Sequence, residues 1–176
     1  MSNGLKVTKR DGQIEKLDLD KMHTMVEEAT IGLAGVSASQ VEMTSGIQFY
    51  DGITTAEIQE ILIKSASDLI DLEHPNYQFV AARLLLFSLR KQLFGKMHEL
   101  PDLVNHITKL AYDNIYDKDI FVKYSLEEIM KAETFVDHDR DFMFTYAGLR
   151  QVVDKYLVQD RSTGKVYETP QFMYIM

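Results

Sequence analysis

The stretch VTKRDGQIEKLDLDKM, residues 7–22, combines strand, turn and helix-start signals in a short span. Its first residues favour a strand, Asp11-Gly12 is a dipeptide typical of hairpin turns, and residues 14–17 suit the returning strand. Asp18 then stands where a side chain can accept hydrogen bonds from the first turn of a helix. The stretch therefore predicts a small antiparallel hairpin that leads directly into a helix.

Four helices are predicted in the first 95 residues. Apolar residues recur at helical spacing after the hairpin, and Ser37 and Thr54 each stand three residues before a glutamine or glutamate, as in a capping box. The helix after Thr54 is expected to bury residues at three- and four-residue steps as far as Leu69. Pro75 suits a helix start and Gly95 a helix end. We expect a mainly α fold with a small β part.

Residues 96–176 are predicted to form a second, helical segment. Helices are expected over residues 101–114, 125–133 and about 139–155, and two strand-like runs around Ser162-Thr-Gly164 predict a second hairpin. The final apolar run PQFMYIM, which begins at Pro170, is typical of a segment that a longer chain covers.

Composition limits the classes of function. The chain has 176 residues, 45% of them hydrophobic and 26% charged, which is ordinary globular composition. The net charge of −8 argues against non-specific binding to nucleic acid, and no apolar stretch approaches the roughly 20 residues of a membrane span. No secretory pattern is present, so a cytoplasmic location is expected. The absence of cysteine excludes disulfides, thiolate metal sites and a thiyl radical.

Cations close to helix starts are candidates for phosphate binding. Lys9 and Arg10 precede the turn and Lys21 lies in the first turn of the next helix, where free N–H groups attract anions. A solvated, lysine-rich surface hairpin explains the same residues. Thr55 and Gln59 share a helix face and offer a hydroxyl and an amide, although a segment that only caps its own helix fits equally.

Two further groups have both a functional and a structural interpretation. Phe87 and Lys91 lie one turn apart and suit a base and a phosphate, but a lysine at a helix end also suits the helix dipole. The charged run Asp137-His-Asp-Arg-Asp141 resembles a metal or acid–base cluster. Because His138 has no second histidine at helical spacing, capping and ion pairing are favoured and no metal site is predicted.

Taken together, three segments resemble the ATP-cone of ribonucleotide reductase large subunits. They are residues 7–22, residues 51–66 (DGITTAEIQEILIKSA) and residues 75–95 (PNYQFVAARLLLFSLRKQLFG). Residues 137–172 resemble the segment that follows the cone in class I large subunits and leads into the catalytic barrel. The resemblance implies a four-helix bundle capped by a short hairpin or three-stranded sheet in residues 1–95, and a helical segment in residues 96–176.

The resemblance also implies a function and a site. The family's cone binds ATP as activator and, in many members, dATP as inhibitor, with Mg²⁺, and so controls overall activity in deoxyribonucleotide synthesis. Four cations would meet the phosphates, residues 15–21 would wrap the nucleoside, and the third and fourth helices would complete the pocket. The residues implied are Val7, Lys9, Arg10, Glu15, Lys16, Leu17, Asp18, Lys21, Thr55, Gln59, Phe87 and Lys91.

This sequence departs from the family pattern at two site positions. Gln59 stands where well-studied members have a histidine implicated in telling ATP from dATP, and Asp18 stands where asparagine is common. The family's reaction requires cysteines, which this chain lacks, so the chain is not expected to catalyse it alone. The implied partners are the rest of the large subunit and the radical-generating small subunit, in an oligomer. An interaction module that docks subunits without binding nucleotide is the alternative.

Overall fold

The computed structural model describes residues 5–176, which form a mainly α protein with two small antiparallel sheets. The fold class predicted from the sequence is confirmed. The strands and α-helices are β1 (Lys6–Thr8), β2 (Ile14–Lys16), α1 (Leu19–Thr30), α2 (Ala38–Gly46), α3 (Thr55–Asp68), α4 (Tyr77–Phe94), α5 (Leu103–Tyr112), α6 (Ile120–Lys123), α7 (Leu126–Glu133), α8 (Tyr146–Gln151), β3 (Gln159–Asp160), β4 (Lys165–Val166) and α9 (Pro170–Ile175).

The chain divides into two compact units. The first comprises the described residues up to Ser88 together with Phe144–Arg150, and the second comprises Leu89–Met143 and Gln151–Met176. The first unit contains the β1–β2 hairpin, in which Val7 pairs with Glu15. The implied three-stranded sheet is reduced to this hairpin and one isolated parallel bridge between Thr8 and Thr54.

The predicted helix caps are present at Asp18, Ser37, Thr54 and Ser125, each of which accepts a backbone N–H bond within the first turn. The capping box is complete at Thr54 and Ser125. At Ser37 it is not, because the Gln40 side chain accepts a hydrogen bond from the Tyr77 hydroxyl, at 2.9 Å. The same hydroxyl accepts the Ser37 N–H at 3.0 Å. A tyrosine on α4 thus replaces the glutamine in the predicted box.

The core of the first unit lies between α1, α3 and α4. Helix α4 is buried over most of its circumference, as its apolar sequence predicts, and Val26, Leu62 and Leu86 have no exposed surface. Leu69, predicted to be buried on α3, is instead the half-buried residue after its last turn. The C-terminus of α1 is capped from a distance, because the Arg83 guanidinium donates to Ala29 O at 3.2 Å and to Ile31 O at 2.7 Å.

The chain departs from the sequence-based prediction at residues 139–155, which contribute to both units. Instead of one helix, the chain forms a 3₁₀ helix (His138–Met143), then α8, then a π-helical turn (Val152–Tyr156). Asp137 starts the 3₁₀ segment by accepting the Asp139 N–H at 3.1 Å, and Asp141 is turned inward against Arg90. Local side-chain bonding and burial of a charge therefore override the α-helical pattern. Helix α6 was not predicted either.

The hydrophobic core of the second unit is built by α5, α7 and α9. Leu103, Ile107, Ile129 and Phe172 are its central buried side chains. Pro170 occupies the first turn of α9, a helix that was not predicted from the sequence, and the β3–β4 hairpin lies at the predicted turn. Among the helices described, none has the length and apolar content needed to cross a membrane.

Candidate functional site

The β1–β2 hairpin is fixed beside the start of α3 by backbone hydrogen bonds. Thr8 N–H donates to Ile53 O at 2.9 Å, and Gly52 N–H donates to Lys6 O at 2.9 Å. Asp51 adds a side-chain bond, accepting the Lys6 N–H at 2.8 Å. The pairing of the hairpin with the residues before α3 was not predicted from spacing, because a long-range backbone bond leaves no periodic pattern in the sequence.

Lys9 lies at the end of the hairpin and pairs with the opposite strand. Its Nζ is 2.7 Å from Glu15 Oε2, and both side chains are 39% exposed. The hydrogen bond to Glu15 raises the pKa of Lys9 above its ordinary value. Lys9 is therefore a fixed positive charge beside the turn, and solvent or a ligand can reach it.

Arg10 reaches from the turn to α3. Its Nη2 donates to Gln59 Oε1 at 2.7 Å. Gln59 is only 6% exposed, and its Nε2 donates to Met25 Sδ on α1, at 3.7 Å. Partial burial lowers the pKa of Arg10, although a guanidinium stays charged at neutral pH. The structure thus brings together Arg10 and Gln59, two predicted site residues that lie far apart in sequence, and adds Met25, which sequence reasoning missed.

The start of α1 carries Asp18 and Lys21. Asp18 Oδ1 accepts the Lys21 N–H at 3.1 Å, and Lys21 Nζ lies 3.2 Å from Asp18 Oδ2. The backbone bond from Lys21, followed by the side-chain bond, lowers the pKa of Asp18. Because 79% of the Lys21 side chain is exposed, this pair is open to competition from a ligand. The preceding site residues differ in exposure, since Lys16 is exposed and Leu17 half-buried.

Thr55 is the first residue of α3 and is half-buried. The residues around it complete the cap: Glu57 N–H donates to Thr54 Oγ1 at 3.1 Å, and Thr54 N–H donates to Glu57 Oε2 at 2.9 Å. The Tyr50 hydroxyl also donates to Glu57, at 3.0 Å. Bonds from the Thr54 hydroxyl and backbone, then from Tyr50, lower the pKa of Glu57. Thr55 therefore sits on a rigid helix start.

Like Gln59, two further predicted site residues are buried. Val7 is 2% exposed and Phe87 has no exposed surface, so both belong to the core of the first unit. Lys91 is half-buried and lies one turn after Phe87 on α4, where its carbonyl accepts the Gly95 N–H at 3.0 Å.

The charged run at residues 137–141 makes ion pairs, as the structural interpretation predicts. Arg140 Nε lies 3.2 Å from Asp137 Oδ2, and Arg90 Nη2 lies 3.6 Å from the buried Asp141 Oδ2. Asp141 Oδ1 also accepts from Gln171, at 3.1 Å. Over residues 5–176, no group of three or more histidine, cysteine, aspartate or glutamate side chains is placed to hold a metal ion.

The described geometry suits the binding of an anion. Lys9 and Arg10 lie on the hairpin, and Lys21 lies in the first turn of α1. All three are close in sequence to the start of α1, where free N–H groups and the helix dipole favour negative charge. Charge-assisted bonds from lysine and arginine are the strong interactions that phosphate groups form with proteins.

Comparison with known proteins agrees with this geometry. The sequence profile of the ATP cone domain matches residues 5–92, which include every candidate site residue. The chain is 49% identical over 176 residues to ribonucleoside-diphosphate reductase 1 subunit alpha of Escherichia coli (strain K12), and covers 23% of that protein. It is 40% identical over 173 residues (97% of this chain) to the alpha subunit of Enterobacteria phage T4, and covers 22% of it.

A third relative, ribonucleoside-diphosphate reductase subunit alpha of Haemophilus influenzae, is 47% identical over the whole chain. The chain thus spans less than a quarter of the length of these relatives, and the matched region is their N-terminal part. Since the family profile covers the hairpin, α1, α2, α3 and all but the last turn of α4, the chain belongs to the ATP cone domain family.

Proposed function

We propose that the first unit binds ATP or dATP as an allosteric effector. The observation that carries the proposal is the placement of Lys9 and Arg10 on a hairpin that backbone bonds tie to the start of α3. A triphosphate would bind these cations together with Lys21, and the nucleoside would lie along residues 15–18. Mg²⁺ would be held by the phosphate oxygens, which are the hard ligands this ion prefers.

We further propose that the chain is a regulatory module of a class I ribonucleoside-diphosphate reductase. Its 49% identity to an alpha subunit supports this, while the lack of cysteine argues against a reductase reaction within these 176 residues. Its partners would be the remainder of a large subunit and a small subunit, and it would control overall activity. Cysteine chemistry would then belong to other parts of the enzyme.

The test is isothermal titration of ATP and dATP, each with Mg²⁺, into the chain and into Lys9→Ala. The variant should bind ATP more weakly by roughly 1.5–3 kcal/mol, because it loses one charge-assisted bond. Lys64→Ala is the matched control, since Lys64 is an exposed lysine of the first unit that pairs with Asp68 at 3.1 Å on α3. Equal affinity in the chain and in Lys9→Ala would contradict the assignment of the pocket.

An interaction module without nucleotide binding is the second candidate. It is favoured by exposed apolar side chains on and after α2, where Met43 is 75% and Ile47 89% exposed. Titration separates the two candidates, because this module would show no heat with either nucleotide and would still associate with reductase subunits.

The division into residues 1–95 and 96–176 is a proposal about independent folding. Residues 5–95 contain four helices, of which α1, α2 and α3 have side-chain caps at their starts, so they should resist proteolysis after a cut near Gly95. Limited digestion followed by mass spectrometry tests this. A resistant C-terminal piece with a degraded N-terminal piece would contradict the division.

A further inference from the structure

The Gln59 side chain joins three elements of the first unit through its single amide group. Its oxygen accepts from Arg10 on the hairpin turn at 2.7 Å, and its nitrogen donates to the Met25 sulfur on α1 at 3.7 Å. Gln59 and Met25 are each 6% exposed, so the amide is itself held in place by packing. Arg10 therefore meets a fixed acceptor.

Holding an arginine in place matters when the arginine binds a ligand. A free arginine side chain has many rotamers, and ordering it on binding reduces affinity. The bond to Gln59 involves Nη2, whereas a guanidinium has five N–H donors in a planar fork. The other N–H donors of the guanidinium can therefore bind a phosphate while Arg10 stays bonded to Gln59.

The chemistry of an amide suits this task better than the alternatives of similar size. A carboxylate at this position would form an ion pair with Arg10 and offset the charge that attracts phosphate. An apolar side chain would offer Arg10 no acceptor on α3 and would leave it to bond with solvent. A neutral amide fixes Arg10 and leaves its positive charge available.

We propose that Gln59 is a positioning residue that orients Arg10 for the phosphate chain of the nucleotide before the nucleotide binds. The inference rests on the proposed nucleotide-binding function and adds to it the reason for a buried glutamine at this position. Gln59 acts through Arg10.

The experiment compares Gln59→Leu, Gln59→Asn and Gln59→Glu in the full chain. The first removes the acceptor, the second retracts the amide by one methylene, and the third keeps an acceptor but adds negative charge. Gln48→Leu is the control, because Gln48 is an exposed glutamine of the same unit. One readout is water exchange of the Arg10 guanidinium N–H signals by ¹⁵N NMR without nucleotide, and the other is affinity for ATP by titration.

Gln59→Leu and Gln59→Asn should speed exchange at Arg10 and weaken ATP binding about three- to tenfold, the range expected for ordering one long side chain. Gln59→Glu should keep Arg10 protected from exchange, because it retains an acceptor. It should still weaken ATP binding at least as much as Gln59→Leu does, because it adds negative charge. A purely structural role of Gln59 would not separate the two readouts in this way. Gln48→Leu should change neither.

Two results overturn the inference, and they are distinguishable from each other. If the unmodified chain binds ATP and all three variants bind it equally well, Gln59 does not position Arg10, while the proposed function stands. If the unmodified chain binds neither ATP nor dATP, the proposed function fails and the inference fails with it. Thermal unfolding of each variant identifies any that do not fold. The variants that do fold still show whether Gln59 affects Arg10 and the affinity for ATP.

Discussion

The two units of the molecule differ in whether they bury charged side chains. In the described part of the first unit, the buried polar side chains Ser45, Gln59 and Ser65 are all uncharged. The second unit buries Arg90 at 3% exposure, and Asp141 and Glu168 at 1%. Burial of a charge requires partners close by, whereas an exposed charge remains free to exchange its partner for a ligand.

The partners in the second unit form an internal polar network. Arg90 donates to His138 O at 2.8 Å and lies 5.0 Å above the Phe142 ring. Glu168 accepts from the Tyr116 hydroxyl and from Val158 N–H, the latter at 2.8 Å. The difference teaches that the second unit buries charged side chains, whereas the described part of the first unit keeps them partly or fully exposed, where a ligand can reach residues such as Lys9.

The most severe test of this comparison is removal of one buried charge. Asp141→Ala should lower the free energy of unfolding by about 3–5 kcal/mol, because it leaves Arg90 buried without its carboxylate. Chemical denaturation followed by circular dichroism measures the loss. The double variant Arg90→Met/Asp141→Leu should recover much of the stability, and Lys64→Ala, in an exposed pair, should change it by less than about 1 kcal/mol. If Asp141→Ala is as mild as Lys64→Ala, burial of charge does not distinguish the units.

Acid should weaken the second unit more than the first. Burial is the main cause that lowers the pKa of His106 to about 4 and of His138 to about 4. Their contribution to stability is complete above the unfolded pKa near 6.5 and is lost as pH falls from there towards 4. Asp141, whose pKa burial raises to about 6, acts in the opposite direction over part of this range.

Burial also raises the pKa of Glu168, which acts in the same direction as Asp141, and we expect the two histidines to leave a net loss of stability between pH 7 and 4.5. Hydrogen exchange of core amides measures the stability of each unit separately. The amide of Leu110 reports on the second unit and that of Leu62 on the first. Equal loss of protection at Leu110 and Leu62 would contradict the expected difference in acid sensitivity between the two units. His106→Phe should reduce the difference, because a phenyl ring keeps the stacking on Phe172, now 4.2 Å between ring centroids, and cannot be protonated.

Nucleotide selectivity should reflect the uncharged interior of the first unit. ATP and dATP differ by one 2′-hydroxyl, and Gln59 offers only a neutral amide near the site. We expect the two affinities to differ by about tenfold or less, the equivalent of one hydrogen bond, with little change between pH 6 and 8. Titration of both nucleotides into the unmodified chain and Gln59→His measures this. If the unmodified chain prefers one nucleotide by a hundredfold and Gln59→His does not change this preference, Gln59 does not determine the selectivity.

The smallest expected effect concerns an exposed pair that links α1 and α2. His23 Nδ1 lies 2.8 Å from Glu42 Oε1, and this bond raises the pKa of His23. A raised pKa means that the stabilising charge is present below pH 6.5 and is lost as pH rises above the folded-state pKa. The first unit should therefore become slightly less stable from pH 6 to 8, and His23→Gln should abolish the slope. A slope of the opposite sign in amide exchange at Leu62 would contradict this.

Local features of the fold were readable in the sequence, whereas long-range polar contacts were not. Asp18 and the Thr54 capping box depend on neighbours within one turn, so their residue types predicted them correctly. Residues 139–155 were misjudged as one helix because burial of Asp141 depends on Arg90, about fifty positions earlier in the chain. The family resemblance named Arg10 and Gln59 as site residues, but nothing in their spacing predicted that they bond to each other.

The capping of α1 by Arg83 has a consequence for the order of folding. Helix α1 has no basic residue in its last turn, and its final carbonyls receive donors from α4, more than fifty positions away. Closing a loop of that length costs chain entropy before any contact repays it, so the end of α1 becomes ordered only when α4 has docked. We expect α1 to fray in nascent chains that stop before Arg83. Arg83→Met removes this contact, so amides at the end of α1 should exchange faster in the variant, and isolated α1 peptides should be only weakly helical.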